Sequence, residues 1–382
     1  MSSSVHSAKL RAVPTSYLVG ALAVALLAVL AILSLGYGGR AAWSDAMTLR
    51  ARHTVAQWRD GEGPKYTLAL WEQTRDDLAD ALQTTPDNGQ LYDDLGFLYA
   101  SRAQGLGTPK DGSQASVLRL SLLSQAITNY RSACVLRPTF PYTWAYLALA
   151  KQLRGELDAE FWSAFDKALK YGRNEPGVQQ SIARVAFALW PALDASYQGA
   201  VVSMVSSASK VSRRNLVELA DSAGLTTTLL DAIKEPPQKA MIWEDLGILH
   251  ARRAFALGKP LLGSAEAMQQ SQEWDQAVSS YRAATVLQAD MAGSWAGLVA
   301  VKHARAHYDD EFGAALDQAL QYGADDVDVQ QALAPVAFAV WAGLTPERRA
   351  AVGAMVAAAK PPVRRQLLNL AQRKEVLLPS PQ

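Results

Sequence analysis

The chain has 382 residues, of which 49% are hydrophobic and 19% are charged. Its 37 lysine and arginine residues nearly balance 36 aspartate and glutamate residues, so no overall field attracts a nucleic acid or an acidic polymer. The single cysteine, Cys134, excludes an internal disulfide and is typical of a small buried side chain.

The first predicted element is a transmembrane helix at 17–36, after an N-terminal tail at 1–16. Residues 17–35 are almost wholly apolar, and about 20 such residues span a bilayer as a helix. A cleaved secretory signal is the alternative, because Lys9 and Arg11 form a basic start, but the apolar run is longer than a usual signal core. A short tail before a first anchor favours a body outside the cytoplasm. On that basis we place the anchor in a bacterial inner membrane and the body in the periplasm.

A membrane-proximal helical segment is predicted at 40–86. The glycines within 36–39 predict a flexible exit from the membrane, and Ser44 is a candidate N-cap for a helix over 45–59. A second helix is predicted over 66–84, because its apolar residues recur at helical spacing and a proline follows.

The rest of the chain is an internal duplication. Residues 91–220 match residues 242–371 without a gap, at an offset of 242 − 91 = 151. We therefore divide the body into blocks at 87–237 and 238–382. The first block has helical periodicity over 88–104, 116–136, 140–154, 158–171, 177–190, 195–209, 213–222 and 226–234. The second block repeats this pattern until about Gln372, and no period-two alternation predicts strands, so the fold class is all-α.

Short motifs within each block resemble the tetratricopeptide repeat family. The family's first-helix pattern, W-x2-L-G-x2-Y, is matched from Trp243 with His250 in place of the tyrosine, and from Tyr92 with tyrosine in place of the tryptophan. Its second-helix pattern, A-x3-F with a later alanine and proline, is matched over 126–138. The resemblance implies a right-handed solenoid of helical hairpins. We expect a large first-helix residue to fill a gap left by alanine and glycine, and Pro138 to end the second helix.

The resemblance is interrupted at two kinds of place. Insertions lie between the paired helices around Gly107 and Gly258, and they are either interaction loops or tolerated extensions. The hairpins at 177–209 and 328–360 keep helical periodicity but lose the motif.

The family generally binds peptides or partner proteins along its first helices. Carried over by position, the resemblance implies a partner-binding groove formed by Phe97, Ser101, Tyr142, Ala145, Leu149, Gln152, Glu244, Ile248, Arg252 and His303. Its apolar members suit an apolar or helical ligand, although plain packing is the alternative.

A histidine pair and two arginine pairs are further candidate sites, and each has a second interpretation as ordinary surface charge. His303 and His307 are four residues apart with carboxylates following, which is the spacing of a helical metal pair or of a solvated helix end. The pairs at 213–214 and 364–365 are arginines that either grip an anionic lipid or a partner carboxylate, or act as solubilising surface charge.

Taken together, the sequence predicts a membrane-tethered, non-enzymatic scaffold that needs no cofactor or metal. The resemblance to tethered members of the repeat family implies that it binds partner proteins in a cell-envelope assembly of the secretion, polysaccharide or pilus type. The alternatives are direct binding of a glycan or an unfolded chain in the groove and, less favoured, a metal-dependent enzyme using His303 and His307.

Overall fold

The structure is a computed structural model that describes residues 15–378, so Lys9 and Arg11 lie outside the described part. Over these residues the chain forms helices and no strand, which confirms the all-α class. The α-helices are α1 (Thr15–Arg59), α2 (Leu68–Thr84), α3 (Gly89–Gly105), α4 (Gln114–Leu136), α5 (Pro141–Arg154), α6 (Ala159–Gly172), α7 (Pro176–Ala188), α8 (Ala195–Ser207), α9 (Lys210–Ser222), α10 (Thr226–Ala232), α11 (Pro236–Ala256), α12 (Ala265–Leu287), α13 (Ala292–Ala304), α14 (Asp310–Gly323), α15 (Val327–Ala339), α16 (Pro346–Ala358) and α17 (Pro361–Arg373).

Two compact units divide the chain, at residues 1–167 and 168–382. The boundary does not coincide with the duplication: the first copy belongs partly to each unit, whereas the second copy lies wholly in the second unit. The division into blocks at 87–237 and 238–382 therefore stays a proposal about evolutionary origin.

Helix α1 is continuous through the residues that the sequence predicts as a flexible exit. The predicted break at 36–39 is wrong, and Ser44 is a buried residue inside the helix rather than its N-cap. The Ser44 hydroxyl lies 2.8 Å from the Thr85 hydroxyl, beyond the end of α2. Local glycines lower helix propensity, but tertiary contacts of this kind outweigh a propensity difference of about 1 kcal/mol per residue.

Side chains beside those glycines make further contacts with the corner between α2 and α3. Tyr37 donates a hydrogen bond to the Asp87 carboxylate at 2.9 Å. Arg40 donates through Nε to the Thr84 carbonyl oxygen at 3.1 Å. These contacts fasten the helix to the first unit directly after the apolar run.

The two halves of α1 have different surfaces. Within the described side chains, residues 22–35 are all exposed, while Thr48, Ala51 and Val55 of the later part are buried. By length and composition alone, the part of α1 from Leu22 onward is long and apolar enough to cross a membrane.

In the first unit, α3 and α4 pack as a hairpin around a glycine and a tyrosine. Tyr130 of α4 is buried, and a Cβ added at Gly96 of α3 would fall 2.5 Å from its ring. The close approach therefore needs glycine at this position. The predicted arrangement is reversed here, because the large residue comes from the second helix and the gap lies on the first.

In the second unit, α11 and α12 repeat this packing. A Cβ added at Gly247 would lie 2.7 Å from the Tyr281 ring. Helices α4 and α12 also end at equivalent residues, Leu136 and Leu287, although only the first is followed by Pro138. Proline is therefore not required to end the second helix.

The loops that carry the insertions are built alike in both copies. In each loop two glycines adopt positive φ angles: Gly107 and Gly112 in the first, Gly258 and Gly263 in the second. A serine then caps the next helix, which has 23 residues in both copies. Much of each insertion is thus extra helix.

Candidate partner-binding surfaces

A buried acidic pair joins three helices of the first unit. Asp93 and Asp94 of α3 meet Arg59, the last residue of α1, whose Nη2 lies 2.9 Å from Asp93 Oδ2 and 3.0 Å from Asp94 Oδ1. Thr143 of α5 donates its hydroxyl to Asp93 at 2.7 Å. A buried charge is stable only when it is paired in this way, so the cluster fixes α1 to α3 and α5.

Arg59 also contacts Phe97, the first of the predicted groove residues. Its guanidinium carbon lies 5.0 Å from the Phe97 ring centroid and 5.8 Å from that of Tyr146, so both rings accept cation–π contacts. Burial raises the pKa of Asp94 to about 6, although the Arg59 charge opposes this.

The second unit has an equivalent buried acid with different arginines. Asp245 of α11 accepts hydrogen bonds from Arg213 Nε at 2.6 Å and from Arg214 Nε at 3.2 Å, both on α9. Arg213 is buried, so the expectation of surface charge or of a ligand-gripping arginine is wrong for this residue. It joins α9 to α11 instead.

The neighbouring groove residue Glu244 differs from its first-copy equivalent Asp93. Its carboxylate lies against Gly293 of α13, where an added Cβ would collide with it. Burial raises the pKa of Glu244. Ser294, which the duplication equates with Thr143, is buried and its hydroxyl has no partner within the described chain.

The remaining predicted groove residues of the first unit are only partly accessible. The Ser101 hydroxyl donates to the Leu98 carbonyl oxygen of its own helix at 3.1 Å. Ala145 is 0% exposed, so its assignment to a binding surface is wrong: the side chain belongs to the core. Of the predicted groove residues on α5, Tyr142, Leu149 and Gln152 are half-buried.

The predicted groove residues of the second unit mostly contact other residues of the same unit. Ile248 packs against the hydrophobic core of this unit. Arg252 is exposed and lies 2.9 Å from Glu218. The His303 ring nitrogen Nδ1 lies 2.9 Å from the Tyr308 hydroxyl.

Two of the carboxylates near His303 and His307 are already bound by cations. Lys302 Nζ lies 2.7 Å from Asp309 and 2.6 Å from Glu311. In residues 15–378 no group of three or more potential ligands is placed to hold a metal ion. Nothing in this geometry favours the metal-dependent alternative.

This lysine arrangement is a duplicated feature that sequence reasoning missed. In the first copy, Lys151 is 0% exposed and its Nζ lies 2.9 Å from Asp158 and 2.7 Å from Glu160. Arg131 of α4 reaches the same glutamate, as Arg282 of α12 reaches Glu311. The signal was available, because the 151-residue offset pairs all four charged positions.

Several large apolar side chains are exposed at equivalent positions of both copies. Val135 is 79% exposed at the end of α4, and its equivalent Val286 is 85% exposed at the end of α12. Leu136 and Leu287 follow them and are also exposed. Apolar side chains left uncovered at matching places are typical of surfaces that contact other molecules.

No protein-family model matches the chain, and the comparison with curated proteins gives no match. Among solved structures, the human IFIT1 dimer with m7Gppp-AAAA has 14% sequence identity and a TM-score of 0.32, and the match covers 80% of this chain and 59% of that one. Yeast Tom70 has 15% identity and a TM-score of 0.31, with coverage of 80% and 59%. The chain thus spans little more than half of either protein, and a likeness at this level assigns neither a superhelix nor a ligand.

Proposed function

We propose that this protein is a membrane-tethered helical scaffold that binds partner proteins. The observation that carries the proposal is α1, which is apolar and exposed along its first half and packed into the first unit along its second half. A helix built in this way joins a bilayer to a folded body without a flexible linker. The assembly we favour is one of the cell envelope, with the anchor in a bacterial inner membrane and the body in the periplasm.

The polar interior of both units supports a binding role rather than a catalytic one. Asp93, Asp245 and Lys151 are each committed to ion pairs that join helices. Burial raises the pKa of the Cys134 thiol to about 12, so this group is a poor nucleophile at neutral pH. These groups stabilise the frame, and the surface is left for contacts with partners.

We propose two equivalent partner-binding surfaces, one in each unit: Val135 with Leu136 in the first and Val286 with Leu287 in the second. Their exposure means that they contribute little to folding. The same experiment examines the accessible groove residues of each unit separately, above all Gln152 in the first unit and Arg252 in the second.

The test is capture of partner proteins from native membranes by the full-length chain. We expect the double variant Val135→Asp/Val286→Asp to lose capture of specific partners, because a carboxylate cannot be desolvated against an apolar partner without a counter-charge. The matched control is Val211→Asp. Val211 is 71% exposed, but the equivalent residue of the second copy is a proline, so this exposed valine is not repeated. The helical circular-dichroism signal should be the same in all variants.

Retained capture in the double variant would remove these residues from the proposal, and Gln152→Glu with Arg252→Glu then examines the groove. Release of the wild-type chain from membranes by alkaline washing would contradict the anchor. Capture of glycan alone would favour the polymer-binding alternative.

A further inference from the structure

A cavity of about 660 Å³ opens in the second unit beside the start of α14. Its other walls are the end of α15, the short 3₁₀ turn Trp341–Gly343 and the first turns of α16. This size lies within the range of sites that accept small molecules.

The cavity has mixed walls, in which aromatic and apolar side chains lie beside carboxylates. Three aspartates line it: Asp309, Asp310 and Asp317. Tyr308 and Phe312 meet edge to face, with ring centroids 5.3 Å apart, and Leu344 contributes an aliphatic surface. The acidic residue Asp309 at its edge is neutralised, because both of its oxygens lie 2.7 Å from Lys302 Nζ.

A fixed guanidinium forms another wall. Arg348 of α16 donates to both oxygens of Asp317, through Nε at 2.8 Å and Nη2 at 2.9 Å. It lies against Gly313, where an added Cβ would fall 2.5 Å from Nη2. A guanidinium held on one edge in this way keeps its planar face available for stacking on an aromatic ring.

The duplication shows what kind of side chain these positions otherwise carry. At the 151-residue offset, Gly313 corresponds to Trp162 and Arg348 to Tyr197. Trp162 is half-buried, and its ring packs against those of Phe161 and Phe165 in the first unit. The first copy thus carries two large aromatic rings of its own where the second has glycine and arginine.

We infer that this cavity is a receptor site for an aromatic side chain, an indole or phenol ring, supplied by a partner protein. The ring would lie between Phe312 and Leu344 with the Arg348 guanidinium against its face. The inference rests on the proposed partner-binding function and gives it a sequence requirement: the partner's contact segment contains an exposed tryptophan or tyrosine.

The test uses the full-length chain in detergent micelles with N-acetyl-tryptophanamide as the probe and N-acetyl-leucinamide as its aliphatic match. Ligand-observed NMR measures both. For a probe of this size we expect a dissociation constant on the order of 1 mM for the tryptophan amide and at least tenfold weaker binding of the leucine amide.

Three variants sharpen the result. Gly313→Trp/Arg348→Tyr places the first-copy residue types at both positions, so the new rings should fill the cavity and lower affinity for the probe at least tenfold. Arg348→Met keeps the length of the side chain but removes the guanidinium, and should weaken binding severalfold. Ala350→Trp adds the same ring at an exposed position of α16 and should leave binding unchanged.

Equal binding of both amides, no binding to the wild-type chain, or undiminished binding in the double variant would each overturn the inference. Partner capture that depends on Val135 and Val286 is measured independently of the probe. If the probe fails while capture persists, only the aromatic site is lost.

Discussion

The acidic pairs of the two copies are neutralised by arginines of different origin. Asp94 faces Arg59 at the end of the membrane-proximal helix, whereas its equivalent Asp245 faces Arg213 and Arg214 of α9. These arginines are not related by the duplication, because 213 − 151 = 62 and residue 62 is a glutamate. The acid is therefore a property of the repeated hairpin, and a helix earlier in the same unit supplies the cation: α1 in the first and α9 in the second.

The largest expected effect on stability comes from removing Arg59, the arginine that pairs with the acids of the first copy. Arg59→Ala leaves Asp93 buried without a charged partner, and loss of one member of a buried pair costs about 3–5 kcal/mol. Arg213→Ala should cost less, because Arg214 still reaches Asp245. Urea unfolding of the full chain in detergent measures both changes.

Equal losses in the two variants would contradict the difference we draw between the copies. Adding Asp94→Asn to Arg59→Ala should recover part of the lost stability, since without Arg59 the buried Asp94 carboxylate keeps only a 3.9 Å contact with Arg52 Nε. Asp245→Asn in the same Arg59→Ala background is the matched control, and it should recover nothing.

The next largest effect on stability concerns the close contact of a glycine with a tyrosine ring, which both copies share. Gly96→Ala and Gly247→Ala each place a methyl group into a tyrosine ring, which costs about 1–3 kcal/mol of stability for overpacking. Gly199→Ala is the control, because nothing lies within 4 Å of its Cβ position and a helical glycine-to-alanine change stabilises by about 1 kcal/mol. The same unfolding assay checks all three signs.

A gain in stability from Gly96→Ala would show that α3 and α4 separate readily to admit a side chain. A loss at Gly96 without one at Gly247 would mean that only the first hairpin keeps the close approach.

The sequence predicted the helices of both copies to within three residues at each end, because their periodicity and punctuation are local signals. It failed where distant residues decide. The glycines at 36–39 predict a break, but Thr84, Thr85 and Asp87 hold α1 together from 41 to 50 positions away. No window of local sequence contains that information.

The candidate surfaces were harder to predict than the fold for the same reason. Lys151 and Arg213 are of residue types that usually lie on the surface. Both are buried here because residues outside their own helices pair with them. Ala145 was placed on a surface by position in the repeat and lies in the core. The cavity beside Gly313 is visible in sequence only as the loss of an aromatic residue that the other copy retains.

The smallest expected effect concerns the pH dependence of the first acidic pair. Burial raises the pKa of Asp94 to about 6, above its ordinary value of 3.8. As the pH falls through about 6, the folded chain binds a proton at Asp94 while the unfolded chain does not. Stability therefore rises on acidification from pH 7 to pH 5, by about 1 kcal/mol.

Urea unfolding of the wild-type chain and of Asp94→Asn at both pH values isolates this contribution, since asparagine does not titrate. We expect the difference in stability between the two proteins to shift in favour of the wild type at the lower pH. Asp245→Asn should remove an effect of the same sign, because burial also raises the pKa of Asp245. A shift in the opposite direction would mean that Arg59 outweighs burial, and the two acids would then differ in their electrostatics as well as in the origin of their arginines.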